Sequence, residues 1–219
     1  MKLVLFDIDG TLLWTDGAGR RAIHAALLAE MGTAGPIDGY RFDGKTDPQI
    51  VQELLTAAGH PDAASATHIE LVCRRYVSLL QGELEVSAGR SRTYPGVPEL
   101  LELLERRADA VLGLLTGNLE AGARIKLEVF GLNKYFPIGA YGSDNEDRNR
   151  LLPLAAERFR SSYGKDIRYG DCVVIGDTPR DIFSAKPYGA MSIATATGPY
   201  PAEALRMAKG TKEVPGLAD

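Results

Sequence analysis

The stretch LVLFDIDGT, residues 3–11, decides the fold of this chain, because a run of four apolar residues breaks abruptly into acidic and turn-forming residues. A continuous apolar run of this length is typical of a strand buried on both faces, as the strands of parallel sheets are. Two later runs have the same form: AVLGLL at 110–115 ends at TGN, and CVVI at 172–175 ends at GDT. Together the three runs predict the central strands of a parallel sheet.

Helical patterns alternate with these runs. Residues 98–107 and 151–161 carry apolar side chains at helical spacing, and residues 121–129 repeat an apolar residue at every fourth position. Residues 138–141 and 191–194 are weaker candidates for two further strands. Strands that alternate with helices indicate an α/β fold, here a Rossmann-like parallel sheet covered by helices on both faces.

A long insert separates the first strand from the helix at 98–107. It comprises roughly 80 residues without a convincing strand, far more than an ordinary connection between a strand and a helix. Three helical patterns occupy it: residues 20–31, residues 47–59 with Asp47 as the expected N-cap, and residues 66–84. The insert is therefore predicted to be an α-helical module.

We expect the chain to divide at the ends of this insert. Residues 1–14 and 91–219 would form the α/β catalytic core, and residues 15–90 would form the inserted helical cap domain. The tail at 210–219 contains Gly and Pro without strong periodicity, so the sequence leaves its order open.

Composition and charge narrow the function classes. The 219 residues include 25 Lys and Arg against 29 Asp and Glu, and this acidic balance argues against a nucleic-acid partner, which needs a basic surface. No apolar run approaches the ~20 residues of a membrane span, and the N-terminus turns acidic at Asp7, too soon for a signal peptide. Cys73 and Cys172 are far apart, so we expect no disulfide framework and a cytoplasmic protein.

Polar side chains follow each predicted central strand. Asp7 and Asp9 follow the first, Thr116 follows the second, and Asp177 and Asp181 follow the third. Each residue alone is a common turn former, but ligands of open parallel sheets bind at the carboxyl ends of strands, so we expect these side chains to converge. Carboxylates crowded into one pocket repel each other unless a cation or retained protons compensate, and Mg²⁺ prefers such oxygen ligands.

These motifs resemble those of the haloacid dehalogenase superfamily of phosphohydrolases. DIDGT at 7–11 resembles the DxDGT motif of the family, LTGN at 115–118 resembles its second motif, and GDTPRD at 176–181 resembles its acidic GDxxxD motif. The three motifs follow in the order and spacing of the family over nearly the whole chain. The helical insert also lies where the first type of cap domain of the family lies, which implies an enzyme similar to phosphoglycolate phosphatases.

The resemblance implies a role for each residue. Asp7 would be the nucleophile that forms an aspartyl-phosphate, and Asp9 would protonate the leaving alcohol and then deprotonate the attacking water. Mg²⁺ would be bound by the carboxylates of Asp7 and Asp177 and by the backbone carbonyl of Asp9, with Asp181 orienting metal-bound water. The phosphoryl oxygens would be bound by Thr116 and by the amide N–H groups of Gly117 and Asn118.

One element of the family pattern is missing. The family carries a Lys, often followed by Pro, that pairs with the nucleophile, but the corresponding stretch GSDNEDRNR at 142–150 has none. Arg148 is the expected substitute, because it precedes a predicted helix and presents a planar guanidinium to phosphate. Lys126 and Arg150 are the alternatives, and a solvated charged loop is as compatible with the pattern. In the cap, Lys45 would either contact a second anionic group of the substrate or lie on the surface.

The leading hypothesis is a Mg²⁺-dependent phosphatase that acts on a small phosphorylated metabolite, as phosphoglycolate phosphatases do. A phosphosugar mutase of the β-phosphoglucomutase type would use the same core and cap and return the phosphoryl group to its substrate. A non-catalytic phosphate-binding relative would account for the missing Lys, although all four acidic positions are present. The sequence leaves open whether the protein is a monomer or a homodimer.

Overall fold

The computed structural model describes residues 1–208 and 210–218. Its strands are β1 (Lys2–Phe6), β2 (Leu13–Trp14), β3 (Arg92–Thr93), β4 (Ala110–Leu115), β5 (Ile138–Ala140), β6 (Cys172–Gly176), β7 (Met191–Thr195) and β8 (Lys212–Val214). Its α-helices are α1 (Ala18–Met31), α2 (Asp47–Ala57), α3 (Ala66–Val86), α4 (Val97–Glu105), α5 (Glu120–Glu128), α6 (Leu151–Tyr163), α7 (Pro179–Ala185) and α8 (Ala202–Met207).

Six of these strands form one parallel sheet in the order β5-β4-β1-β6-β7-β8. Strand β1 lies at its centre, with Leu3 opposite Val111 of β4 on one side and opposite Cys172 of β6 on the other. The strand order reverses at β1, which is where open parallel sheets bind their ligands. The expected α/β fold is confirmed, and its three predicted central strands are neighbours in space.

Both faces of the sheet are buried, which explains the uninterrupted apolar runs. Leu3 and Leu5 of β1 pack on the face covered by α6, together with Phe159. Val4 and Phe6 point to the opposite face, which α4 and α5 cover, because successive side chains of a strand alternate. Burial of a side chain of this size contributes about 1.5–3 kcal/mol to the stability of the fold. Burial on both faces therefore stabilises β1, the strand that Asp7 and Asp9 follow.

Helices α1, α2 and α3 share a hydrophobic core of their own. Ile23 and Leu27 of α1 pack with Leu54 of α2 and Leu80 of α3 in a cluster separate from those of the sheet. This helical unit follows β1 in the chain, as the insert predicts. The exact division of the chain into a core at 1–14 and 91–219 and a cap at 15–90 stays a prediction.

The structure corrects two details of the sequence interpretation. Strands β2 and β3 pair antiparallel with each other, one just before and one just after residues 15–90. The sequence pattern shows no strand at either place, because each strand is only two residues long and too short to show a period. The expected N-cap Asp47 is wrong: Thr46 caps α2, and its hydroxyl accepts a hydrogen bond from the amide of Gln49 at 3.3 Å. Asp47 is instead the first residue of the helix and is buried.

The C-terminal segment adds the edge strand β8 to the sheet. It pairs in parallel with β7, Ile193 lying opposite Lys212, and Leu217 packs against the face that α4 covers. Residues 210–218 are therefore ordered by pairing and packing, which periodicity does not indicate, and Asp219 lies outside the described residues.

The two cysteines lie in different hydrophobic clusters of the structure. Cys73 is a buried free thiol in the core of α1 to α3, and Cys172 is a buried free thiol in the sheet. None of the helices in residues 1–208 and 210–218 combines the length and the apolar character needed to cross a membrane.

Candidate active site

The carboxyl ends of β1, β4 and β6 meet at one edge of the sheet and form the floor of a cavity of about 520 Å³. Asp7, Asp9, Thr116 and Asp177 all line this cavity. The amide of Asp7 donates to the carbonyl of Ile175 at 2.9 Å, so β1 keeps its pairing with β6 up to the first acidic residue. The structure thus brings together the residues that follow the three predicted strands.

Asp7, Asp177 and Asp181 form a buried group that we call the carboxylate cluster. Their exposed fractions are 4%, 1% and 2%, and one oxygen of each lies within 4.8 Å of the others. Burial raises the pKa of Asp7 to about 6; Arg148 opposes this rise, and Asp181 and Asp9 add to it. Burial also raises the pKa of Asp177 well above its usual value, with further contributions from Asp181 and Asp7. The cluster therefore carries more negative charge than its surroundings compensate.

The carboxylate cluster fits a divalent cation. Its oxygens are the hard ligands that ions such as Mg²⁺ take, and a cation would neutralise its surplus charge. Gly10 and Gly198 bring their backbones directly against Asp177, and a Cβ on either would collide with its carboxylate. The cluster contains Asp7 and Asp177, whose carboxylates are expected to bind the metal, and Asp181, which is expected to orient metal-bound water. The side chain of Asp9 is not part of the cluster, and its expected contact with the metal is through its backbone carbonyl.

Arg148 is the cation in contact with the carboxylate cluster. It lies in a short 3₁₀ turn before α6, with only 4% of its surface exposed. Its Nη2 lies 3.1 Å from Asp7 Oδ1, pairs with Asp181 and donates to the carbonyl of Leu115 at 3.2 Å. Its Nε has no hydrogen-bond partner among the described residues. A guanidinium therefore occupies the place for which the family pattern expects a lysine.

The other two cations that the sequence offered differ in position. Arg150 is 72% exposed at its side chain, and its closest carboxylate partner is Asp147 at 3.8 Å, so it does not belong to the cavity. Lys126 of α5 is buried in the cavity wall. The apolar repeat at 121–129 does not describe the buried face of α5, which consists of Gly122, Ala123, Lys126 and Leu127.

Lys126 anchors a hydrogen-bond network around Asp9. Its Nζ lies 2.6 Å from Asp9 Oδ2 and 2.6 Å from Asn118 Oδ1. The amide group of Asn118 in turn donates to Asp9 Oδ2 and to the hydroxyl of Thr116, both at 2.9 Å. The network fixes the Asp9 carboxylate between α5 and the loop after β4.

Asp181 is occupied by contacts within the protein. One carboxylate oxygen pairs with Arg148, and the other accepts from the amide and the hydroxyl of Thr178 at 2.9 and 2.8 Å. The bond from the amide of Thr178 belongs to the capping box that begins α7. Asp181 therefore holds Arg148 in place, and its expected action on water stays a prediction.

The N-terminus of α2 docks on the loop that follows β4. The amide of Asp47 donates to the carbonyl of Gly117 at 2.8 Å, and Asp47 Oδ2 accepts from the amide of Leu119 at 2.8 Å. Burial raises the pKa of Asp47 to about 6, although Lys126 and the bond from Leu119 oppose the rise. Sequence reasoning missed this docking role, because an Asp before Pro at a helix start also fits a simple capping residue.

Lys45 lies in the cavity wall but has partners of its own. Its Nζ lies 2.7 Å from Glu53 Oε2 and 2.7 Å from the hydroxyl of Tyr40. Its charge is therefore compensated inside the helical unit, and contact with a substrate anion stays a prediction.

Comparison with known proteins gives a consistent set of relatives. A family model described as haloacid dehalogenase-like hydrolase matches residues 1–189. Phosphoglycolate phosphatase of Mesorhizobium japonicum is 28% identical over 197 residues, which cover 90% of this chain and 83% of the relative. Phosphoglycolate phosphatase of Xylella fastidiosa is 30% identical over 201 residues, which cover 90% of this chain and 81% of the relative.

Solved structures share the fold. The crystal structure of CbbY from Rhodobacter sphaeroides in complex with phosphate has a TM-score of 0.70 to this chain at 19% identity, with coverage of 100% of this chain and 96% of that one. The range matched by the family model contains all three strand-end motifs and helices α1 to α3.

Proposed function

Because the chain belongs to the haloacid dehalogenase-like hydrolase family, we propose that it is a Mg²⁺-dependent phosphatase of small phosphate monoesters. The observation that carries the proposal is the contact of Asp7 with Arg148 at the edge where three strands end. It pairs a buried carboxylate, able to attack phosphorus, with a guanidinium whose planar donors match phosphate. The similarity to two phosphoglycolate phosphatases supports this class of substrate.

The proposed reaction has two displacements at phosphorus. In the first, an oxygen of Asp7 attacks in line, the bond from phosphorus to the ester oxygen breaks, and the leaving oxygen takes a proton from Asp9. In the second, Asp9 accepts a proton from water, the water oxygen attacks the phosphoaspartate, and the bond to Asp7 breaks to release inorganic phosphate. Proton transfer of this kind contributes ~10²–10⁴ in rate.

The carboxylates of Asp7 and Asp177 and the backbone carbonyl of Asp9 would hold Mg²⁺. When bound, the ion offsets the repulsion between the Asp7 carboxylate and the anionic phosphate. Arg148 would bind phosphoryl oxygens from the side of the carboxylate cluster, while Asp181 keeps its guanidinium in place. The remaining phosphoryl contacts would come from the hydroxyl of Thr116 and the amides of Gly117 and Asn118.

The network of Lys126 and Asn118 would keep Asp9 at the ester oxygen through both proton transfers, since both side chains donate to its Oδ2 and leave Oδ1 for the proton exchange. The cap, residues 15–90, would close over the bound ester and exclude water. The docking of Asp47 on Gly117 and Leu119 is the contact that such closure would make and opening would break.

The test is phosphate release from a panel of small phosphate monoesters, with Mg²⁺ and with the ion removed by chelation. We expect release that depends on Mg²⁺ and falls by at least about 10⁴-fold in Asp7→Asn, because the variant lacks the nucleophile. Asp166→Asn, an exposed carboxylate that is 88% accessible, is the matched control and should keep the native rate.

Two outcomes would contradict the proposal. Isomerised sugar phosphate without net phosphate release would identify a mutase. No turnover by a folded protein that still binds phosphate would identify a non-catalytic relative.

A further inference from the structure

Tyr76 of α3 places a hydroxyl without a partner in the wall of the cavity. The residue is 1% exposed and lines the cavity, and its hydroxyl has no hydrogen-bond partner within residues 1–208 and 210–218. A buried hydroxyl left unpaired is costly, and most such groups in folded proteins have a protein or ligand partner. Burial raises the pKa of Tyr76 well above its usual value, with Asp47 and Asp9 adding to the rise, so the group is a neutral phenol.

A glycine opens the space between this hydroxyl and Lys126. A Cβ on Gly19 of α1 would lie 3.8 Å from the Tyr76 hydroxyl and 3.3 Å from Lys126 Nζ. Both polar groups therefore lie within 4 Å of the point where a side chain of residue 19 would begin, and all three residues line the cavity.

Lys126 retains a donor for this space. An ammonium has three N–H groups, and in the described part of the chain two of them are taken by Asp9 and Asn118. Lys126 and Asn118 both donate to Asp9 Oδ2, which leaves Oδ1 for the ester oxygen. A proton exchange at ~2.6–3.2 Å from Oδ1 places the ester oxygen within about 8 Å of Lys126 Nζ. A substituent on the next carbon of the leaving group can bridge this distance.

The charges around this space favour a neutral substituent. The positive charge of Lys126 is already opposed by Asp9 and by the buried carboxylate of Asp47, both of which act on Tyr76 as well. A substrate carboxylate would add a third negative charge to one ammonium, whereas a hydroxyl adds none and can both accept and donate.

We propose that Tyr76 and Lys126 form a subsite for a hydroxyl group on the carbon next to the phosphoester carbon of the leaving group. The inference rests on the proposed function of the site and narrows its substrates to phosphate monoesters of polyols and sugars. The substrate hydroxyl accepts from Lys126 and shares a hydrogen bond with Tyr76, and Gly19 provides the room.

The test uses three esters that differ only at the second carbon: ethyl phosphate, 2-hydroxyethyl phosphate and phosphoglycolate. Their binding to the Asp7→Asn variant with Mg²⁺ is measured by titration calorimetry. We expect 2-hydroxyethyl phosphate to bind about 3- to 10-fold more tightly than ethyl phosphate, which is the strength of one hydrogen bond, and more tightly than phosphoglycolate. In otherwise native protein, kcat/KM should rank the three esters in the same order.

Variants assign the preference to the subsite. Adding Tyr76→Phe should abolish the preference for 2-hydroxyethyl phosphate over ethyl phosphate, and Gly19→Ala should reduce it while retaining every polar group. Tyr163→Phe, on α6 and outside the cavity, should retain it. Tyr76→Phe should not lower the melting temperature, because the lost hydroxyl has no partner among the described residues.

Equal binding of the three esters, tightest binding of phosphoglycolate, or a preference that survives Tyr76→Phe would each overturn the inference. Turnover and binding separate the two proposals. Native protein that binds 2-hydroxyethyl phosphate preferentially but releases no phosphate would contradict the phosphatase proposal and support the subsite. Phosphate release without a preference among the esters would support the phosphatase and contradict the subsite.

Discussion

The floor of the cavity and its cap-side wall are both buried, yet their polar groups are satisfied in different ways. In the floor, Arg148 holds Asp7 and Asp181 together, and each of these groups comes from a different element around the sheet. In the wall, Lys45 is satisfied within the helical unit, and the hydroxyl of Tyr76 has no partner in residues 1–208 and 210–218. The floor thus holds its own side chains together and leaves surplus negative charge for a cation and the Nε of Arg148 without a partner in the described residues, whereas the wall leaves a neutral hydroxyl.

This difference separates chemistry from recognition. Groups that hold one another need no rearrangement when a substrate arrives, which is what a preorganised reacting site requires. A wall group without a partner gains a hydrogen bond only from a matching substrate, which is what discrimination requires. Lys126 and Asp47 lie at the boundary, since they join Asp9 of the floor to the helical unit.

Disrupting the floor should have the largest effect. In Arg148→Lys the charge stays, but an ammonium cannot reproduce the planar fork of the guanidinium whose Nη2 contacts Asp7, Asp181 and the carbonyl of Leu115. We expect kcat/KM for phosphate release to fall by about 10²–10³-fold, the usual loss for a preorganised donor. Arg150→Lys, two residues further along the chain and with a side chain 72% exposed, should stay within about twofold of native. Equal losses in the two variants would mean that Arg148 has no special place in the floor.

Loosening the boundary should cost less. Lys126→Met keeps the buried stem but removes the ammonium from Asp9, while Asn118 still donates to that carboxylate at 2.9 Å. We expect kcat to fall by about 10- to 100-fold, less than the loss of a general acid itself. The exposed Lys165→Met serves as the control and should match the native rate. An unchanged kcat in Lys126→Met would show that Asp9 keeps its place without the ammonium.

The docking of the helical unit should show in stability rather than in rate, as a pH-dependent change at Asp47. Its pKa is about 6 in the folded protein against 3.8 for the free side chain, so the folded chain binds the proton more tightly. The stability that this adds is complete below pH 4 and is lost as the pH rises through 6. Asp47→Asn removes this dependence, so its unfolding free energy should gain about 2–3 kcal/mol relative to the native chain between pH 4 and pH 8.

Urea unfolding in the presence of a chelator, at several pH values across this range, measures that gain. The titration of the carboxylate cluster cancels in their difference, apart from the coupling of Asp47 to Asp7. Asp166→Asn, at an exposed position, should show no change across the same window. A flat difference for Asp47→Asn would mean that the carboxylate is solvated and does not dock the helical unit.

The elements that sequence reasoning predicted are those with strong local signals. The run from Leu3 to Phe6 marks a strand because both of its faces are buried, and the apolar spacing over residues 66–84 marks α3 because that face packs in the core of the helical unit. The sequence pattern did not predict strands β2, β3 and β8, because each has only two or three residues and these show no alternating period. Lys126 was a weak candidate because a lysine on the buried face of a helix breaks the apolar pattern that defines that face.

The sequence by itself determined the family, the parallel sheet and the acidic residues at the strand ends, because motif order and uninterrupted apolar runs are local properties of the chain. Only the tertiary structure decided which cation meets Asp7, that Asp47 docks the helical unit, and that the hydroxyl of Tyr76 lacks a partner in the part of the chain that the structure describes. These are contacts between residues distant in sequence, or the lack of such contacts. They depend on how the elements pack, which no single stretch of sequence encodes.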